Sequence, residues 1–153
     1  MGVVGGLVVC LVHFFEIESE GRMECVALLT SCPVLDASDM TFHDLKATAL
    51  RGPAIAISQC TTFSGAAGNC TSSKFQLRDL SFANLTGTTR SADVASLQCS
   101  AVKPCENIQI TGADLALSDG SLAEKYLCGN VKGTRGFTCN GAVCVGGSAT
   151  GGC

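Results

Sequence analysis

Three pairs of aspartates, Asp36 with Asp39, Asp79 with Asp93 and Asp114 with Asp119, lie close enough along the chain to suggest acid–base chemistry. Two carboxyl groups held ~5–10 Å apart can hydrolyse a glycosidic bond, one protonating the leaving oxygen while the other activates water or attacks. Each pair here sits in a polar, loop-like stretch. Aspartate is favoured in such turns because its side chain bonds the nearby backbone, so solvated turn and strand-end aspartates are expected. His13 and His43 are the two histidines. His43 follows Phe42 on an alternating stretch and points the opposite way, which predicts an exposed side chain and not a general base. No residue is assigned a catalytic role.

The cysteines carry the next signal. There are 11 of them, and Cys99 with Cys105 and Cys139 with Cys144 place thiols close together. Zinc sites usually take tighter pairs two to four residues apart, so a metal site is not expected. The even set Cys60, Cys70, Cys99, Cys105, Cys128, Cys139, Cys144 and Cys153 reads as a disulfide framework formed in an oxidising compartment. Local closure is expected, Cys60 to Cys70 and Cys99 to Cys105, with Cys128, Cys139, Cys144 and Cys153 tying down the tail. Two glycosylation triplets, Asn69-Cys70-Thr71 and Asn84-Leu85-Thr86, agree with an extracellular setting. The chain is therefore expected to be secreted.

Other classes are excluded by composition. With 10 basic and 13 acidic residues the net charge is −3, so no cationic field draws nucleic acid or an anionic membrane surface. Hydrophobic residues make up 46% and charged residues 15% of the chain, and the mean hydropathy of +0.35 argues for a folded core and against disorder. The apolar run from Val3 to Phe15 is too short to cross a bilayer, which needs ~20 residues. It makes a poor signal peptide, with no preceding Lys or Arg and with Glu16, Glu18 and Glu20 behind it. The glycine-rich end, Gly146 to Gly152, lacks phosphate-loop spacing. No cofactor is expected.

The elements that would position these residues are short strands. Residues 1–33 differ in texture, with an apolar run, an acidic patch and three cysteines that cannot all pair among themselves. From about Val34 short alternating stretches recur between polar connections. Met40 to Leu50, Phe75 to Leu85 and Ile108 to Leu117 can be laid beneath one another, with apolar residues at 40/75/108, 42/77/110 and 47/82/115. Each is followed by a segment that ends in cysteine, at Cys60, Cys99 and Cys128. Repeated strands with no helix-length amphipathic stretch between them predict a β-solenoid. A propeller needs at least four blades, and a sandwich does not explain the common register. The chain divides into an N-terminal segment 1–33, coils over 34–144 and a Gly-rich tail 145–153.

At this point the residues resemble a family. Met40-Thr-Phe-His-Asp-Leu45 leading to Pro53-Ala-Ile-Ala-Ile-Ser-Gln-Cys60, then Phe82-Ala-Asn-Leu-Thr-Gly87, Leu97-Gln-Cys-Ser100, Pro104-Cys-Glu-Asn-Ile108 and Tyr126-Leu-Cys-Gly-Asn-Val-Lys-Gly133 are similar to the fungal polygalacturonases and exopolygalacturonases of glycoside hydrolase family 28. The resemblance implies an all-β fold, a right-handed parallel β-helix, of which residues 34–144 look like the C-terminal coils. It also implies hydrolysis of α-1,4-galacturonosyl bonds in pectin by inversion, with polygalacturonate as the partner.

The family's catalytic segments are an Asn-Thr-Asp, an Asp-Asp, a Gly-His-Gly and an Arg-Ile-Lys, and none of these strings occurs in this chain. The tyrosine that the family places after the Gln-Cys strand end is replaced by Thr61 and Thr62. Two readings follow from the sequence. One is a fragment of a pectin-degrading hydrolase, inactive alone, from a truncated product or a late-starting gene model. The other is a secreted, Cys-rich, non-catalytic module that binds carbohydrate or a host partner, with Val3 to Phe15 capping its open first coil.

Overall fold

The computed structural model describes residues 36–59 and 73–141, together with the backbone of 11–14. Eight strands follow in order: β1 (Leu11–Phe14), β2 (Asp36–Leu50), β3 (Ile55–Ser58), β4 (Gln76–Thr89), β5 (Asp93–Gln98), β6 (Cys105–Ala116), β7 (Lys125–Gly129) and β8 (Val131–Arg135). No helix occurs among the described residues. The chain alternates between two sheets, β1-β3-β5-β7 and β2-β4-β6-β8. Every neighbouring pair is parallel except β1 with β3, which is antiparallel. Two parallel sheets built by alternate strands leave one core between them.

The long strands are not plain alternations. In β4 the inward positions are Leu77, Leu80, Phe82 and Leu85, all buried, although a pleated strand would turn every second side chain inward. The extra residue in each step is Asp79 at φ 55° or Asn84 at φ 56°. A left-handed residue bends the strand and resets its parity, so the chain can turn a corner and still bury its apolar side chains. Neighbouring strands bend at the same level. Asp39, Asp79, Asn107 and Gly133 form one row of such corners and Asp44, Asn84 and Gly112 a second, all with positive φ.

These corners correct the register expected from the sequence. Met40 lies level with Leu80 and not with Phe75, and Leu80 is level with Ile108. Phe42, Phe82 and Ile110 make the next row, with Phe42 and Phe82 stacked at 5.1 Å between ring centroids. Phe75 precedes β4. The expected alignment placed the outer two strands correctly against each other but slipped the middle one, because the connection 59–75 makes the first repeat longer than the second. The cysteine-ended segments are also offset: Cys128 is level with Leu97 and Ile57, while Cys99 lies beyond the end of β5.

The core is filled from both sheets. Ile55, Ile57, Val94, Leu97, Leu80, Phe82, Ile108, Ile110 and Leu115 are almost wholly buried, and each large apolar side chain removed from water stabilises by ~1.5–3 kcal/mol. β5 is enclosed on both faces, since Val94, Ala95, Ser96, Leu97 and Gln98 are all fully buried. The far end is closed by residues after β8. Phe137 packs against Tyr126, Cys139 is bonded to Cys128, and Asn140 and Gly141 both donate to the carbonyl of Tyr126.

Candidate functional site

The most constructed polar region is the corner at the ends of β3, β5 and β7, where the chain passes to the other sheet through connections of different length: 59–75, 99–104 and Asn130 alone. Gln59 is 5% exposed. Its amide nitrogen donates to the carbonyl of Phe75 at 2.8 Å, and its amide oxygen accepts the backbone N–H of Ser100 at 2.9 Å. The fully buried Ser100 donates its hydroxyl to the Ser73 carbonyl at 2.7 Å and accepts the N–H of Val102 at 3.2 Å. Asn130 Nδ2 donates to the Cys99 carbonyl at 2.9 Å, and its own carbonyl accepts the N–H of Cys105. A buried side chain that meets backbone groups on both sides substitutes for the ladder bonds lost where strands end, and an unpaired group there would cost ~1–3 kcal/mol.

The Cys99–Cys105 disulfide closes the middle connection of this corner, with both cysteines fully buried. The second disulfide, Cys128–Cys139, lies at the β7 end. Cys60, Cys70, Cys144, Cys153 and Asn69, together with Thr61 and Thr62, lie outside the described residues. So does the segment 145–153, and with it the Gly-rich tail.

The aspartates fall elsewhere. Asp36, Asp39, Asp79, Asp93 and Asp114 belong to strands rather than loops, and Asp119 alone of the six lies in a turn. Asp36 and Asp93 open β2 and β5 as strand-end residues, whereas Asp39 and Asp79 depart from the loop-like reading as left-handed corners inside β2 and β4, where polar, turn-forming residues interrupt a strand without ending it. Arg78 pairs with Asp36 at 3.5 Å and Asp79 at 3.2 Å. Asp79 Oδ1 also accepts Asn107 Nδ2 at 2.9 Å, and Asp44 Oδ1 accepts Asn84 Nδ2 at 3.0 Å. His43, with its side chain 68% exposed, bonds Asp44 at 2.8 Å.

These contacts give the carboxylates structural work. The bond from Asn84, then that from His43, hold the Asp44 carboxyl below its ordinary pKa. The Ser121 hydroxyl and backbone N–H do the same for Asp119. A glycosidase general acid needs the opposite shift, upward, so that it keeps a proton to give. Among the described residues no group of three or more His, Cys, Asp or Glu could hold a metal ion.

Sequence reasoning missed Gln59, Ser100 and Asn130 as organisers, and it missed the corner rows. The rows had a signal: Asp39 and Asp44, Asp79 and Asn84, and Asn107 and Gly112 each stand five residues apart. At the last strands glycine takes the corner because a Cβ on Gly112 or Gly133 would come within 3.1 or 2.9 Å of the Oδ1 of Asn84 or Asn107.

An all-β scaffold of parallel sheets, with polar corner rows and buried turn amides, defines a class of stacked-strand protein. Residues 29–144 match Glycosyl hydrolases family 28, and the chain belongs to that family. An Aspergillus niger protein named alpha-L-rhamnosidase rgxB is 61% identical over 118 residues, covering 76% of this chain and 28% of that protein. A Medicago sativa polygalacturonase is 29% identical over 98 residues, 64% of this chain and 23% of its own length. An exopolygalacturonase of Oenothera organensis is 26% identical over 114 residues, 74% of this chain and 31% of its own length. The chain thus spans about a quarter to a third of the curated relatives it matches. No solved structure matches it.

Proposed function

We propose that this chain is scaffold from the later coils of a secreted, right-handed parallel β-helix hydrolase of family 28, acting on pectic carbohydrate at α-L-rhamnosyl bonds in preference to galacturonosyl bonds. The observation that carries the substrate is the 61% identity to the Aspergillus niger rhamnosidase, against 29% and 26% for the two polygalacturonases over stretches of similar extent. This moves the reading away from polygalacturonate, which the sequence resemblance alone implied. It keeps inversion at the anomeric carbon as the chemistry of the whole enzyme, with one carboxylic acid and a water-activating carboxylate. This segment contributes shape and not cutting groups. The four family catalytic strings are missing from it, and the two aspartates that move in pKa move downward.

The test has two arms. Residues 34–144 exchanged for the matching stretch of the Aspergillus niger enzyme should leave a hybrid that releases rhamnose from an α-L-rhamnoside, while the isolated chain releases neither rhamnose nor galacturonate. A hybrid that folds but gains hydrolysis of polygalacturonate would overturn the substrate, and hydrolysis by the isolated chain would overturn its scaffold role.

A second reading, a stand-alone carbohydrate-binding module, has one observation in its favour. β3 is covered by β1, and Asn140 and Gly141 donate to the Tyr126 carbonyl of β7, so less of this sheet is left bare for edge-to-edge aggregation. Pull-down of the purified chain on insoluble pectin, without release of sugar, is the result that would favour it.

A further inference from the structure

We infer that Asn84 is an N-glycan acceptor, and that the outward wall formed by β2, β4, β6 and β8 is a glycan-bearing face of the protein. The inference rests on the secreted family 28 reading above. Asn84, Leu85 and Thr86 form the acceptor triplet. In β4 the two ends of that triplet, Asn84 and Thr86, are exposed, while Leu85 between them is buried in the core at 4% exposure. The acceptor and the hydroxyl that identifies it therefore stand on the solvent side together.

The corner geometry makes room for the sugar. At φ 56° Asn84 sits on a bend of the exposed wall, and its side-chain amide lies along the corner row between Asp44 and Gly112. Its neighbour in β6 is Gly112, which has no side chain. On the other side Asn84 Nδ2 donates one hydrogen to Asp44 Oδ1 at 3.0 Å. An amide nitrogen carries two hydrogens. Glycosylation forms the bond from Nδ2 to C1 of the first sugar of a lipid-pyrophosphate-linked oligosaccharide, the lipid pyrophosphate leaves, and one of those hydrogens is lost as a proton. The other can still serve the bond to Asp44, so the corner row and the glycan are compatible.

The molecule carries its own control. Asn107 occupies the equivalent corner of the other row, exposed, at φ 53°, donating to Asp79 at 2.9 Å. It is followed by Ile108 and Gln109 and so lacks the acceptor triplet. A glycan at Asn84 also has a functional consequence, because it would keep a long polysaccharide from lying along this wall.

The chain, carrying a heterologous secretion leader so that export does not depend on its own N-terminus, is expressed in yeast. It is deglycosylated with peptide N-glycosidase in heavy-oxygen water and cut with trypsin. The peptide from Asp79 to Arg90 should carry the heavy-oxygen aspartate at position 84, and the peptide containing Asn107 should not. Thr86→Ala should abolish the label while leaving the thermal midpoint within the error of the parent. An unlabelled Asp79 to Arg90 peptide, in the secreted or the membrane-retained pool, overturns the proposal, as does a label that survives Thr86→Ala. Since no sugar hydrolysis is assayed, the result stands apart from the substrate reading.

Discussion

The two sheets are made by one alternating chain, yet they end up as different materials. The β1-β3-β5-β7 sheet has short strands, and its central β5 is buried on both faces without a charged residue among Val94 to Gln98. Its edge strands are β1 and β7, and Asn140 and Gly141 donate to the Tyr126 carbonyl of β7. The β2-β4-β6-β8 sheet is a wall with a dry side and a wet side, stepped at left-handed corners. Its rows lose cover toward β2: Leu80, Phe82 and Leu85 are buried, whereas Met40, Phe42 and Leu45 at the same levels are only half-buried. Burial on both faces demands uniform apolar or internally bonded residues, while a wall can be built from alternation plus corners.

The largest expected effect tests that gradient. Phe82→Ala removes a ring that is 0% exposed and stacked on Phe42, and should cost about 3–5 kcal/mol in urea unfolding. Phe42→Ala touches the same stack from the half-buried side and should cost roughly half as much, because less surface returns to water. Equal costs would mean that β2 is as deeply enclosed as β4, and the contrast between core and edge would fail.

The next effect compares the two disulfides. Cys128–Cys139 closes a separation of 11 residues, and replacing both cysteines by serine should destabilise by roughly 3 kcal/mol in the chain-entropy account. Cys99–Cys105 spans 6 residues and is worth slightly less by the same reasoning, about 2 kcal/mol. Their chemical accessibility differs more than their stability. Cys139 is exposed, while Cys99 and Cys105 are fully buried. Graded dithiothreitol followed by alkylation and peptide mapping should label Cys128 and Cys139 first, and earlier labelling of Cys99 would place the weak point in the corner instead of the end.

How far the sequence announced this structure depends on which physical signal each part needed. The all-β class was legible, because strands alternate and no amphipathic helix interrupts them. The placement of β4 was not, since fixed repeat length and strict alternation both fail when Asp79 and Asn84 each add a corner residue and when the longer connection 59–75 lengthens the first repeat. Gln59 could be seen only as part of a Gln-Cys strand end. Its role depends on the carbonyl of Phe75 and the N–H of Ser100, which lie far away in sequence, and no local propensity encodes such partners. Asp39 and Asp79 act as left-handed corners inside strands, which a reading of aspartate as a plain turn former could not anticipate, whereas Asp119 does lie in a turn.

The smallest effect concerns the wet side of the wall and has a definite sign. Asp44 is held below its ordinary pKa of 3.8 by the bond from Asn84 and then that from His43, so the folded state binds its proton less readily than the unfolded chain does. Such a group contributes stability above its unfolded pKa, and that contribution is lost as pH falls through the depressed folded value. Asp44→Asn keeps the size of the side chain and removes the ionisation. The variant should therefore lose thermal stability less steeply than the parent as pH falls below 3.8, with the two curves running parallel near neutrality. Asp119, lowered by Ser121, will keep part of the acid slope in both proteins. The bond joins β2 to β4 on their outer side, so amide exchange in acid should rise first along β2 while β5 stays protected. Simultaneous loss of protection in both sheets would mean that the wall and the enclosed sheet unfold as one unit, and that their difference in burial does not extend to their local stability.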